Sequence, residues 1–238
     1  MKPNGYVKAM ACILIAAVGT SAQAGKPTPK CNGVEATIVG TNGPDVIVGT
    51  DDADVIVGLA GDDEIDGGLG DDLICGGPGE DNLQGQGGDD TIYGGPGDDY
   101  VDGGEGGCCA FDTNTGDDWL YGGNGDDSLH TSDFPVEGSH LFGGNGADQI
   151  FVWSGGEAYG ENGDDIINQF GGDSELYGGN GDDQLTNWNN AGVDVVEMHG
   201  NRGDDVLDNQ DATGTTDQDG GPGEDECIDG DTQTNCEI

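Results

Sequence analysis

Residues 40 to 102 divide without a gap into seven nonamers: GTNGPDVIV, GTDDADVIV, GLAGDDEID, GGLGDDLIC, GGPGEDNLQ, GQGGDDTIY and GGPGDDYVD. Position six is Asp in each (Asp45, Asp54, Asp63, Asp72, Asp81, Asp90, Asp99), and position eight is Ile, Leu or Val (Ile47, Ile56, Ile65, Ile74, Leu83, Ile92, Val101). Chance does not supply such a period, and a chain that keeps one folds as an array of like units stacked on one another. Glycine at the leading positions gives turns the positive φ that a Cβ resists. In the three residues around position eight, a strand sends the aliphatic side chain to one face and its neighbours to the other.

The period matters because the composition alone argues for disorder. Fifty glycines and 6% aromatic residues leave little apolar surface to offset the loss of backbone entropy. Five basic residues face 49 acidic ones, a formal charge of -44, so the chain repels itself unless counter-charge is bound. Nucleic acid and anionic membrane are poor partners for it.

The nonamers follow the pattern GGxGxDxUx, with U a large aliphatic residue, and over roughly residues 40 to 228 the chain closely resembles the calcium-binding RTX nonapeptide-repeat family. The resemblance implies an all-β parallel β-roll, a β-solenoid with two short-strand sheets. Six residues turn, three form a strand, two nonamers make one coil, and calcium sits in the turns. Coils stacked about 4.8 Å apart align Asp residues from successive coils in ladders along two turn edges. Bare carboxylates at that spacing repel by about 1 kcal/mol in water and by several times that near a protein. Calcium suits such a gap, since it accepts six to eight oxygens in irregular geometry from carboxylates and carbonyls alike, whereas magnesium demands a tighter octahedron. The expected ligands are Asp45, Asp54, Asp63, Asp72, Asp81, Asp90, Asp99, Asp118, Asp127, Asp148, Asp165, Asp183, Asp205 and Asp225.

After Val101 the rule changes. "GGEGGCCAFD" lacks the expected Asp, the turns resume at Asp118 and Asp127, and from there the Asp residues recur at steps of 21, 17, 18, 22 and 20, close to a full coil. The expectation is that calcium turns continue along one edge while the other carries degenerate segments such as "VWSGGEAY" and "QFGGDSELY", with U-like residues Leu141, Ala158, Leu176 and Met198 and inserts around "TSDFPVEGSHLF" and "NWNNAGVDVVEMH". The residue before each Gly on that side points outward, so Tyr121, Phe142, Tyr159, Tyr177 and His199 are expected to form an exposed aromatic stripe. It serves either as a docking face or as cross-strand stacking that compensates for lost calcium, and the second reading is preferred.

Residues 1–24 have the layout of a cleaved secretory signal, with Lys2 and Lys8, an apolar run from Ala9 to Val18 and a small-residue end at Ala22-Gln23-Ala24. The run is too short for a membrane span. An exported chain with Cys31, Cys75, Cys108, Cys109, Cys227 and Cys236 points to disulfides. Cys227–Cys236 is the favoured pair and Cys31–Cys75 a plausible one. The expected organisation is a signal at 1–24, an N-terminal cap segment at 25–39, a regular roll at 40–112, a degenerate roll with inserts at 113–228 and a disulfide-closed cap at 229–238.

No catalytic motif is present: GxSxG, HExxH and a phosphate loop are missing, and His130, His140 and His199 fit no triad spacing. The sequence thus points to a secreted calcium-binding roll of structural or matrix type that folds on binding calcium, not to an enzyme. The alternative is a calcium-dependent adhesin or polysaccharide-binding module whose partner is an extracellular polysaccharide or a cell-surface protein. A polysaccharide-acting enzyme fits poorly, because no block outside the roll is large enough for an active site.

Overall fold

A computed structural model describes residues 27–104, 117–131, 138–153, 155–188, 194–210, 215–228 and 232–236. The signal segment, Cys108 and Cys109, and parts of both inserts lie outside these residues. The described chain is all-β. Strands alternate between an eleven-stranded and a ten-stranded sheet, and every neighbour within either sheet is parallel and one coil away in sequence. A short antiparallel hairpin, Lys30–Cys31 with Val34–Glu35, sits before the first coil. The strand Ile38–Val39 joins the larger sheet beside Val55–Val57.

The register keeps each position-eight residue over its counterpart one coil on: Ile47 over Ile65, Ile65 over Leu83, Leu83 over Val101. These side chains and their opposites from the other sheet form a single buried column that runs through Leu120, Leu141, Leu176 and Met198 to Leu207. The column is two side chains wide in most coils, with Val152 and Val196 each adding a third. Burying each one stabilises the fold by about 1.5 to 3 kcal/mol, and a fifth of the residues being glycine raises the entropy that this must offset.

Disulfides pin both ends. Cys31–Cys75 ties the hairpin to the larger sheet, and Cys227–Cys236 closes the last coil, each with Cα atoms 5.7 Å apart. Closing loops of these lengths in the unfolded chain contributes about 2 to 4 kcal/mol apiece.

On the outer face of the larger sheet, Tyr121, Phe142, Tyr159, Tyr177 and His199 do align, and the row begins one coil earlier, at Tyr93. Successive ring centroids lie 4.7 to 5.0 Å apart with planes within 9° of parallel. The rings are half-buried by one another, so the stripe is a stack rather than an open face. The strand spacing of about 4.8 Å leaves parallel rings no other arrangement. Replacing Tyr159 and Tyr177 together with Ser is expected to lower stability by about 1 to 3 kcal/mol, measured by urea denaturation in calcium.

Candidate metal centre

All fourteen expected Asp residues fall on two ladders, ten along one turn edge and four along the other. Along the first edge the backbone N–H of Asp45 donates to Asp63 Oδ1. The same bond repeats through Asp81, Asp99, Asp127, Asp148, Asp165, Asp183 and Asp205 to Asp225, at 2.7 to 2.9 Å. Along the second edge it links Asp54 to Asp72, Asp72 to Asp90 and Asp90 to Asp118 at 2.8 to 3.0 Å. There the ladder stops: the next acceptor, for the Asp118 N–H, is Ser139 Oγ at 3.3 Å.

From the second Asp of each ladder onward one carboxylate oxygen is thereby used, and in all of these but Asp118 the other is stranded, whereas Oδ2 of Asp45 and of Asp54 accepts from the backbone N–H of Thr41 and of Thr50. Oδ2 of Asp63, Asp72, Asp81, Asp90, Asp99, Asp127, Asp148, Asp165, Asp183, Asp205 and Asp225 is buried with no hydrogen-bond partner. A buried, unpaired carboxylate oxygen is among the costliest arrangements a fold can hold. Its surroundings worsen the cost. A Cβ placed on Gly160 would meet both Asp165 Oδ2 and the carbonyl oxygen of Gly178 from the next coil, and Gly58, Gly67, Gly76, Gly85 and Gly94 show the same pair of acceptors. Glycine is required here because the carboxylate occupies the space that a side chain would take. Two acceptors thus border the same space, and the carboxylate oxygen has no donor of its own.

Burial, opposed by the backbone N–H bond and reinforced by neighbouring carboxylates, pushes these groups upward. Asp99 and Asp118 rise to about 8, Asp90, Asp148 and Asp183 to about 7, and Asp72, Asp81, Asp127, Asp165 and Asp205 to about 6. The chain cannot neutralise them itself, having five basic residues in all. Lys30, one of those five, pairs with Glu35 in the terminal hairpin at 3.8 Å.

A second carboxylate ladder escaped the sequence reading. The acid at position five accepts from the N–H of its counterpart one coil later, the reverse of the position-six direction: Asp62 from Glu80, Asp71 from Asp89, Asp98 from Asp126, Asp164 from Asp182, at 3.0 to 3.1 Å. These acids lie on the solvent side of the turns. The recurring "GDD" held the signal, with its first Asp as regular as its second.

The geometry fits a hard cation that takes oxygen alone. Among the described residues no three His, Cys, Asp or Glu side chains converge on one point, so a cation would have to combine Asp oxygens with glycine carbonyls. Calcium accepts that mixture. Zinc and copper, which prefer imidazole or thiolate, do not find it here.

Among the described residues no helix is long and apolar enough to cross a membrane. Comparison with curated proteins finds no match. The family model for the RTX calcium-binding nonapeptide repeat (4 copies) matches residues 39–74, 76–107, 111–133, 139–156 and 170–196, more than half of the chain, and the chain belongs to that family of calcium-binding repeats.

Proposed function

We propose that the protein is a secreted β-roll of structural or matrix type that winds when calcium binds, and that the Asp residues of the two ladders are the ligands. The observation that carries this reading is the set of stranded Oδ2 atoms, most of them set against a glycine carbonyl of the next coil. A divalent ion turns that mutual repulsion into coordination, and it joins neighbouring coils as it does so. The disulfides and the signal-like residues 1–24 fit export to an oxidising, calcium-rich compartment.

The adhesin alternative draws no support from the aromatic row. Rings that bind sugars offer a free face, whereas Tyr121, Phe142, Tyr159 and Tyr177 have a neighbouring ring against each face.

The test is a calcium titration of the metal-free, disulfide-intact chain at pH 7.5, followed at once by calorimetry and circular dichroism. Calcium is expected to produce heat and β signal together, and magnesium at equal concentration to produce neither. A strong β signal in chelator at this pH would dismiss the reading.

A further inference from the structure

Resting on the calcium reading above, we propose that calcium loads the two edges unequally. It occupies the first edge along its whole length and the second only between Asp54 and Asp118, beyond which a metal-free seam of neutral side chains holds the coils together.

The argument comes from a reciprocal exchange at two positions. In the regular turns of the second edge, a glycine two residues after the buried aliphatic leaves room for the Asp carboxylate that follows: Gly49 with Asp54, Gly67 with Asp72, Gly85 with Asp90, Gly103 with Asp118. Past Asp118 both members change. The register places Ser139, Gly156, Ser174, Val196 and Thr216 in the column that continues from Asp118. Where the glycines stood come Thr131, Val152, Gln169, Asn187 and Asn209, each following its buried aliphatic by two. Each acid has become small or neutral, and each glycine has gained a side chain. Nine of these ten are buried, and Gly156 lies half-buried between them.

The new side chains hydrogen-bond across the coils, and the two oxygens they leave buried without a partner, Gln169 Oε1 and Ser174 Oγ, are uncharged, unlike the stranded carboxylate oxygens. Asn187 Nδ2 donates to Asn209 Oδ1 of the next coil at 3.0 Å and to Thr216 Oγ1 at 3.4 Å. Gln169 Nε2 donates to the Gly172 carbonyl across its own turn at 2.9 Å. Gln218, also buried, donates to the Leu207 carbonyl of the preceding strand at 2.9 Å. Of the acids flanking this seam, Asp173 and Asp194 accept from backbone N–H groups of Val195 and Gly172, and Asp208 accepts from Gln210 Nε2 through Oδ2 while its Oδ1 has no partner. The first edge shows no such exchange: its glycine–aspartate pairs persist through Gly160 with Asp165, Gly178 with Asp183, Gly200 with Asp205 and Gly220 with Asp225. Counted as intervals between bonded Asp residues, the first edge offers nine positions and the second three, twelve in all.

Tryptophans stand beside the two parts of the second edge, which makes the inference testable. Trp119 directly follows Asp118, while Trp153 and Trp188 directly follow Val152 and Asn187 of the seam. Terbium, a calcium surrogate whose emission is sensitised by nearby indoles, would be added to the full-length, disulfide-intact chain. Trp119→Phe is expected to remove most of the sensitised emission, and the double variant Trp153→Phe/Trp188→Phe to keep most of it. Native mass spectrometry of the calcium-loaded chain is expected to find no more than twelve ions. Emission that follows Trp153 and Trp188, or a thirteenth tightly held ion, overturns the seam while leaving the calcium reading intact. If terbium and calcium neither bind nor raise the β signal of any variant, the calcium reading itself fails, and the seam with it.

Discussion

Held free of metal, the chain is expected to wind as the pH falls from 8 to about 5 and to unwind when the pH is restored, the reverse of ordinary acid denaturation. An Asp in the unfolded chain titrates near 3.9. In the roll, desolvation first and neighbouring carboxylates second raise Asp99 and Asp118 to about 8, Asp90, Asp148 and Asp183 to about 7, and five further ladder residues to about 6. The wound state therefore holds more protons than the unwound one between these limits, and stability falls as pH rises through that window. The contribution is complete below about 4 and lost by about 8. A structural reason stands beside the linkage. Once protonated, a stranded Oδ2 becomes a donor, and the glycine carbonyl set against it becomes its acceptor. Protons and calcium then compete for the same oxygens, so the calcium midpoint should move to higher concentration as the pH drops from 8 to 6. Far-ultraviolet circular dichroism in chelator, scanned from pH 8 to pH 5 in dilute solution, checks the claim. A metal-free chain that stays unwound at pH 5 would mean that burial of these carboxylates is not what opposes winding.

The parts of this architecture that the sequence discloses are those where one physical demand recurs at a fixed interval. Ile56, Ile65, Ile74, Leu83, Ile92 and Val101 are all but inaccessible to solvent, as their nine-residue spacing requires. The Asp ladders follow from the same spacing, and so does the weakening of one edge after Asp118. What escapes is whatever has no constant offset. From buried aliphatic to the Asp-equivalent position takes seven residues at Leu83 to Asp90 and at Ile167 to Ser174, but six at Ile150 to Gly156 and eleven at Leu185 to Val196. With the interval drifting, the sequence places Gln169 only in a degenerate segment and Asn187 only in an insert and does not single out Asn209, although the fold buries all three. Tyr93 was missed for a different reason. It lies in a regular nonamer, where nothing in the repeat distinguishes a stacked ring from any other outward residue, and only the strand register shows it over Tyr121.

A single methyl group at Gly163 is expected to cost at least about 4 kcal/mol, at the far end of what point substitutions do, while the same change at Gly43 leaves stability within about 0.5 kcal/mol. Both glycines hold position four of a first-edge turn, before Asp165 and Asp45. In the stack, a Cβ on Gly163 would overlap the carbonyl of Gly146, one on Gly146 that of Gly125, and one on Gly181 that of Gly163 itself, so these residues form a spine in which backbone rests on backbone. At φ +140 the Gly163 backbone also adopts a conformation that other residues avoid. Gly43 begins the spine, and a Cβ there meets nothing within 4 Å. The neighbour cannot yield at Gly163, because it is main chain whose own N–H is bonded to the next coil, Gly146 N to the Asn162 carbonyl at 2.9 Å. Moving it apart would widen the gap between Asp148 and Asp165, whose ladder bond is 2.8 Å, and so disturb the oxygens that calcium is proposed to join. In an array where each coil touches only its neighbours, such a break divides the column and each side loses the other's support. Thermal unfolding of Gly43→Ala and Gly163→Ala in saturating calcium, with bound calcium counted on both, separates the outcomes. Equal stability would show that the coils do not rest on this spine, whereas loss of both fold and ions in Gly163→Ala alone ties the closeness of the glycine backbones to the grip on the metal.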